Sequence, residues 1–195
     1  MFLRESIIAV RVTIVTLVVT GFIYPAVVTV LAQTLFPHNS GGSLLYDEKG
    51  TTVVGSELIG QTFTKPGYFQ GRPSAAGAGY DPQASGGSNL GPTSKKLHDR
   101  VEVEVKRLKT ENPDADKMIP AELVTASASG LDPHLSKRAA LWQVPRIAKA
   151  RNVASDRIER LVADHVEHPD LGILGEERIN VLALNLALDQ QFPMQ

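Results

Sequence analysis

Residues 12–36 read VTIVTLVVTGFIYPAVVTVLAQTLF, which is 25 consecutive positions without a charged side chain. A helix rises about 1.5 Å per residue, so a run of this length can cross the roughly 30 Å hydrocarbon core of a bilayer. A secretory signal peptide has a shorter apolar core of about 7–15 residues. The stretch therefore predicts a retained transmembrane helix over residues 12–36, with a cleaved signal as the less favoured alternative.

The charges beside this apolar stretch predict its orientation. Arg4 and Arg11 precede it, and the first lysine or arginine that follows is Lys49. Lysine and arginine are enriched on the cytoplasmic side of membrane spans. We therefore expect residues 1–11 to form a short cytoplasmic N-terminus and residues 37–195 to form a periplasmic domain. So short an inner segment could affect cytosolic chemistry only through a partner protein.

One face of the apolar stretch carries small and hydroxylated side chains at helical spacing. These residues are Thr13, Thr16, Thr20, Gly21 and Tyr24. Residues three and four apart share a helical face, and small or hydroxylated residues let membrane helices approach closely. The pattern predicts an interface with a partner helix. The alternative is that each threonine bonds its own backbone. Pro25, which lacks an N–H group, predicts a kink in the outer third.

The outer part of the chain changes in character halfway along. Twelve of the 16 glycines lie between Gly41 and Gly91, which predicts short strands and tight loops. We expect a hairpin over residues 43–54, and residues 58–63 as an added strand. Helical patterns follow Pro92. The predicted class is α+β, with a transmembrane helix followed by one domain that is rich in strands and loops first and helical later.

The expected helices begin at recognisable capping residues. The first runs from Thr93 or Ser94 as N-cap to Lys109, and the second from Asp132 as N-cap with Pro145 opening a new turn. The third has Ser155 as N-cap with Ile158, Leu161, Val162 and His165 on one side, and the fourth runs from Glu176 to Gln190. The last is predicted to bury Ile179, Leu182, Ala183, Leu186 and Ala187.

Composition and motifs argue against several classes of function. The chain has no cysteine, so it has neither disulfides nor thiolate metal sites. Its formal net charge of −1 offers no basic surface for nucleic acid. It contains no Gly-Lys dipeptide and hence no P-loop. His165 and His168 share a helical face, but no third ligand is evident, so no metal site is predicted.

The cluster SASGLDPH at residues 127–134 suggests a different class of function. Ser129 and His134 could serve a membrane-tethered periplasmic hydrolase, although residues this close in sequence rarely form a catalytic triad. No Gly-x-Ser-x-Gly elbow occurs in the chain. We keep this hydrolase as the alternative to a non-catalytic protein. A sensor or adaptor is disfavoured, because the inner segment has no room for an output module.

Several segments taken together resemble the C subunit of the Kdp-type potassium-transporting ATPase. They are VGSELIGQ (54–61), YFQGRPSA (68–75), ASGGSNLGPT (84–93), LVTAS (123–127), SGLDPH (129–134), LGE (174–176) and RINVL (178–182). With the N-terminal span, the resemblance covers essentially the whole chain in order. Each segment alone is weak, but the ordered set is specific.

The resemblance implies an accessory subunit, itself not catalytic, of a bacterial inner-membrane pump. Its expected partners are a channel-like subunit that selects potassium, a P-type ATPase subunit that hydrolyses ATP, and a small membrane peptide. Potassium would be the transported ion of the complex, and no cofactor is expected to bind this chain tightly. One proposal for the family is a catalytic chaperone that raises ATP affinity. By that resemblance, Gln143 is the candidate nucleotide contact, with a buried hydrogen bond as the favoured alternative.

The expected orientation conflicts with direct contact to ATP, because Gln143 would lie outside while ATP is inside. We therefore expect the outer domain to cover the potassium entrance and to stabilise or gate it. The expected contact residues lie in the glycine-rich region. They are Tyr68, Phe69, Arg72 and Asn89.

Overall fold

The computed structural model describes residues 2–47 and 49–194, which form two compact units. The first unit ends at Leu44 and the second begins at Leu45. The elements are mixed. Helices dominate the N-terminus and the second half of the chain, and short strands lie between them. The α+β class expected from the sequence is confirmed.

The first unit is dominated by one long helix. It runs from Phe2 to Leu35 and consists of α1 (Phe2–Val18), a π-helical turn (Val19–Ile23) and α2 (Tyr24–Leu35). A shorter helix, α3 (Pro37–Ser40), follows it. Within the described residues, the long helix alone has the length and apolar composition needed to cross a membrane. None of its residues is buried in this chain.

The π-helical turn stands directly before Pro25. A proline has no N–H to donate to the carbonyl one turn earlier, so the regular hydrogen-bond ladder cannot continue through it. The N–H of Tyr24 donates instead to the carbonyl of Val19, which is five residues away. Such wide turns inside helices are a known way of accommodating an interrupted ladder.

A two-stranded sheet begins at the boundary of the two units, with β1 (Leu44–Tyr46) and β2 (Val53–Ser56), as the expected hairpin requires. Glu48, in its turn, lies outside the described residues. Asp47 closes the turn by accepting hydrogen bonds from the N–H groups of Thr51 at 2.8 Å and Thr52 at 3.1 Å. These bonds hold the pKa of the Asp47 carboxyl below its usual value.

The expected third strand at residues 58–63 is wrong. Only an isolated bridge joins Ser56 to Ile59, because the following backbone bonds elsewhere. The N–H of Gly60 donates to the carbonyl of Leu131 at 2.8 Å. An added Cβ on Gly60 would lie 2.6 Å from the carbonyl oxygen of Asp132, so this close crossing of two loops requires glycine.

Helix α4 (Lys95–Glu111) follows the glycine-rich region, with Ser94 at its N-cap position and Asn112 at its C-cap position. The sequence predicted this helix correctly to within two residues. The side chain of Asn112 then donates to the carbonyl of Trp142 at 2.7 Å, which ties the end of α4 to the next helix.

Asp132 is not a helix N-cap, contrary to the expectation. Its side chain accepts from the N–H of His134 at 3.0 Å, and the chain enters strand β3 (His134–Leu135). This strand pairs antiparallel with β4 (Ile179–Asn180). Pairing with β4, which is distant in sequence, gives residues 134–135 an extended conformation instead of a helical one. Helix α5 (Lys137–Arg151) begins only afterwards, with the Ser136 hydroxyl accepting from Ala139 N–H.

Pro145 does not open a new turn either, because α5 continues through it. A proline inside a helix costs about 3 kcal/mol in isolation. Helix α5 offsets this cost by burial, since nine of its residues are buried, including Val144 and Ile147 on either side of Pro145. Tertiary packing of this kind supplies most helical stability in proteins.

The last two helices frame the core. Helix α6 (Ser155–Asp164) has Ala154, not Ser155, at its N-cap position, and it buries Ile158, Leu161 and Val162 as expected. Helix α7 (Val181–Gln191) starts later than predicted, after β4, with Asn180 as its N-cap. It buries Val181, Leu182, Leu184, Asn185 and Leu188.

The predicted buried face of α7 is therefore wrong at three positions. Ala183, Leu186 and Ala187 are only half-buried. Ile179 is buried, but in β4. Helix α7 is apolar on nearly every side, so periodicity could not identify its buried face. The core forms where α5 packs on α6 and α6 on α7.

Gly130→Ala should destabilise the outer unit more than Gly50→Ala. The two glycines have nearly equal φ angles, +68° and +67°. Only at Gly130 would the new Cβ meet backbone, 2.8 Å from both Ala76 N and Gly86 O, since nothing lies within 4 Å at Gly50. We expect an extra loss of about 1–3 kcal/mol in the free energy of unfolding of the detergent-solubilised full chain. Equal losses would contradict this packing.

Candidate partner-contact site

Residues 66–70 form an irregular segment, here called the anchored segment, whose backbone is bound by side chains of α5 and α7. The N–H of Phe69 donates to Asn185 Oδ1 at 2.9 Å, and its carbonyl accepts from Asn185 Nδ2 at 2.9 Å. The N–H of Gln70 donates to Gln143 Oε1 at 2.8 Å, and its carbonyl accepts from Gln143 Nε2 at 2.9 Å. Two primary amides thus bond both backbone groups of each residue, as a neighbouring strand would.

Two buried arginines bind the remaining carbonyls of the anchored segment. Arg146 donates to the carbonyl of Tyr68 at 3.0 Å and to that of Pro66. Arg151 donates from Nε to the carbonyl of Gly67 at 2.7 Å. Burial lowers the pKa of Arg146 to about 10, which still leaves the guanidinium charged at neutral pH. Hydrogen bonds to such charged donors are stronger than neutral ones.

Tyr68 is fixed by its side chain as well as by its backbone. Its hydroxyl donates to Asp189 Oδ2 at 2.8 Å, and Arg151 pairs with Asp189 Oδ1 at 2.8 Å. The Arg151 guanidinium lies 4.9 Å from the centre of the Tyr68 ring, in cation–π distance. Burial, and then the bond to Asp189, raise the pKa of Tyr68 above its usual value. The tyrosine is thus half-buried and held in one position.

A second group of contacts holds residues 72–80, which follow the anchored segment. The Ser74 hydroxyl donates to the carbonyl of Gly130 at 2.6 Å and accepts from the N–H of Tyr80 at 2.8 Å. The Tyr80 hydroxyl donates to the carbonyl of Arg72 at 2.7 Å, and Arg72 pairs with Asp132 at 3.2 Å. Burial raises the pKa of Tyr80 to about 12, so it remains a donor at physiological pH.

An open cleft of about 470 Å³ lies between residues 61–80 and α4. Three arginines and two glutamates line it, namely Arg72, Arg100, Arg107, Glu104 and Glu111. Arg107 pairs with both glutamates at 2.8 Å. Among the described residues, Nε of Arg72 and Nε of Arg100 are buried without a hydrogen-bond partner. The cleft is therefore a charged surface whose charges largely compensate one another.

Ser129 and His134 are not joined by a hydrogen bond in the described part of the chain. The Ser129 hydroxyl accepts from the N–H of Leu131 at 3.1 Å. The His134 ring lies 3.8 Å from Asp132 Oδ1 and 4.0 Å from Glu167 Oε2. Burial lowers the pKa of His134. This geometry lacks the contact between nucleophile and base that serine hydrolysis requires.

Comparison with known proteins assigns the chain to a family. A family model described as "KdpC: K+-transporting ATPase, c chain" matches residues 6–190. The chain belongs to the KdpC family. Proteins named potassium-transporting ATPase KdpC subunit are similar to it over most of their length. That of Myxococcus xanthus is 59% identical over 184 residues, covering 94% of this chain and 87% of the relative.

Two further relatives of the same name show similar coverage. The subunit of Rhodospirillum rubrum is 53% identical over 175 residues, 90% of each chain. That of Escherichia coli strain SE11 is 49% identical over 175 residues, which is 89% of this chain and 91% of the relative. The resemblance found in the sequence is thereby confirmed.

The structure brings some of the candidate residues of this KdpC-family chain together. Tyr68 and Phe69 lie in the anchored segment, which Gln143 binds directly. Phe69 is 0% exposed and belongs to the core, so its side chain has no surface to offer a partner. Arg72 lines the cleft, and Asn89 is exposed with φ of +50°.

Gln143 is 1% exposed, and its amide bonds to Gln70 and Arg146. An adenine edge would have to displace these bonds. The candidate residues of the long helix, namely Thr13, Thr16, Thr20, Gly21 and Tyr24, are all exposed in this chain. The Thr20 hydroxyl donates to the carbonyl of Thr16 at 2.8 Å, and the helix interface itself stays a prediction.

Sequence reasoning missed three residues of the anchoring set: Asn185, Arg146 and Arg151. All three are buried. Asn185 carried a usable signal, because it stands as a lone amide in the apolar run LALNLAL at residues 182–188. A polar residue within such a run needs a buried hydrogen-bond partner. The two arginines stand in a helix with other charged residues and gave no such signal.

Gln143→Ala should destabilise the outer unit, because it removes the partner of both backbone groups of Gln70. Each unsatisfied buried group costs about 1–3 kcal/mol, so we expect a loss of about 2–4 kcal/mol. The matched control is Gln190→Ala, an exposed glutamine in α7, which should change stability by less than about 0.5 kcal/mol. Unfolding of the full chain in detergent measures both. Equal stability of the two variants would contradict the anchoring role.

Proposed function

We propose that this chain is a single-pass accessory subunit, itself not catalytic, of an ATP-driven potassium uptake complex in a bacterial inner membrane. The observation that carries the proposal is the family match over residues 6–190, together with one apolar helix of spanning length. Its partners would be a channel-like potassium-binding subunit, a P-type ATPase subunit and a small membrane peptide. Potassium is the ion that the complex transports.

The orientation we propose places residues 1–11 in the cytoplasm and residues 37–195 in the periplasm. Arg4 and Arg11 support it, because they precede the span and basic residues favour the cytoplasmic side. In this arrangement the outer unit is the part that can meet the potassium entrance. We propose that it covers this entrance and stabilises or gates it.

The anchored segment suits such a role because its hydrogen bonds hold it in one position. Tyr68, at its surface, and Arg72, at the edge of the cleft, are held by Asp189 and Asp132. Preorganised contact residues lose little conformational freedom on binding. Tyrosine and arginine are also enriched among the residues that contribute most of the binding energy at protein interfaces.

We further propose that any help with ATP use is indirect. The Gln143 amide is buried and already bonds to Gln70, and the proposed orientation puts it across the membrane from cytosolic ATP. The route available is the membrane helix. Its face with Thr13, Thr16 and Thr20 would contact a helix of another subunit.

Purification of the tagged full-length chain from mild-detergent membranes should recover the other subunits. We expect a P-type ATPase and a channel-like polytopic protein in fixed ratio, because the matched family is described as one chain of a K+-transporting ATPase. Mass spectrometry identifies the companions. Recovery of the chain alone, or as a homodimer, in cells that express the pump genes would overturn the proposal.

Asn89→Gly tests the proposed contact of the outer unit. Glycine tolerates the positive φ of +50°, so this change removes the side chain without adding backbone strain. We expect the potassium concentration for half-maximal ATPase activity of the complex to rise several-fold. Gln83→Ala, at an exposed position of the same region, is the control and should leave it unchanged. If both variants behave like the parent, the loop around Asn89 does not contact the entrance.

A further inference from the structure

The hairpin that joins α6 to β4 ends in an apolar turn, residues 170–174, here called the apolar tip. Three large aliphatic side chains stand out from it. Leu171 is 89% exposed, Ile173 is 81% exposed and Leu174 is 57% exposed. Single apolar residues on a surface are ordinary, but a cluster at the end of a projecting turn indicates a contact.

The apolar tip is an ordered turn and not a loose loop. Asp170 and Leu174 exchange two backbone hydrogen bonds, each of 2.9 Å. Behind them, Glu167 and Arg178 exchange a second pair of 2.8 and 3.1 Å, and their side chains pair at 2.9 Å. This short ladder closes the backbone of the tip into a turn, from which the three aliphatic side chains extend into solvent.

The backbone of the tip carries strain at Leu171. Its φ is +55°, in the left-handed region that L-residues with a bulky side chain disfavour. Glycine or asparagine would adopt this conformation at lower cost. The chain therefore keeps a leucine where the backbone disfavours it, and the side chain is almost fully exposed. Neither cost is offset by packing within this chain.

Charges surround the tip on both sides in sequence. Residues 167–178 contain four acidic side chains, Glu167, Asp170, Glu176 and Glu177, against one arginine. Arg178 pairs with Glu167 at 2.9 Å and His168 lies 3.2 Å from Glu177, so the acidic excess is centred on Asp170 and Glu176. An anionic bilayer surface would repel these acidic side chains. A protein surface with basic side chains around an apolar depression would attract them.

We infer that the apolar tip inserts Leu171 and Ile173 into an apolar socket with a basic rim on another subunit of the complex. The inference rests on the proposed function, because it requires an assembly of several subunits. It adds a docking surface separate from the proposed contact residues Tyr68, Arg72 and Asn89. Burial in the socket would offset both the exposed aliphatic area and the strained backbone.

The first test is the double variant Leu171→Asn and Ile173→Asn. Asparagine suits the left-handed backbone, so the isolated full chain should unfold at the same or a higher temperature. Its apparent Kd for the remaining subunits in mild detergent should rise at least about tenfold, because two buried aliphatic side chains are lost. The control is Val103→Asn and Met118→Asn, at positions that are 63% and 67% exposed. An unchanged Kd in the tip variant would overturn the inference.

The second test identifies what the tip touches. A photo-crosslinking amino acid, p-benzoylphenylalanine, replaces Leu171 in the intact complex, and Val103 in the control. A crosslink from position 171 to a different polypeptide supports the inference, and its mapped site should be apolar with lysines or arginines around it. Crosslinks to lipid only, to a second copy of this chain, or to nothing would overturn it.

The two tests separate this inference from the proposed function. If the unaltered chain purifies without other subunits, the proposed function fails. If it purifies with them and the tip variant does so with equal affinity and no crosslink, the apolar tip alone is excluded as a docking surface. Normal unfolding of the tip variant shows that lost binding is not lost folding.

Discussion

The outer unit depends on one constraint: an irregular backbone segment enters the interior and must have its polar groups bonded there. Residues 66–70 meet this requirement through side chains, with Gln143 and Asn185 supplying amides and Arg146 and Arg151 supplying charged donors. A buried loop without such partners would lose more free energy than its apolar contacts contribute. Phe69 fills the core because this arrangement carries the backbone through it.

The same constraint bears on the family resemblance. By the resemblance, Gln143 is a candidate nucleotide contact. In this chain its amide bonds both the N–H and the carbonyl of Gln70. Its replacement would disturb the position of Tyr68 and Phe69. Loss of pump function on changing Gln143 would therefore not by itself show contact between this residue and ATP.

The anchored segment and the apolar tip differ in how far their groups are satisfied by contacts within the chain. In the anchored segment, side chains of the same chain bond the carbonyls of residues 66–70 and the N–H groups of Phe69 and Gln70. At the tip, Leu171 and Ile173 are exposed aliphatic side chains on a backbone turn that two hydrogen bonds between Asp170 and Leu174 close. A subunit that exists to contact others needs both, a rigid base and surfaces that are completed only by a partner.

The sequence by itself determined the long apolar helix, the turn at Asp47, α4 and the buried face of α6, because each follows from local periodicity, capping or charge. The ordered motifs also determined the family. Only the tertiary structure decided that Asp132 precedes a strand, that α5 continues through Pro145, and which face of α7 is buried. It also decided the partners of Gln143 and Asn185, which lie 73 and 116 residues from the backbone they bind. Contacts over such separations depend on how the helices pack, and no local pattern encodes them.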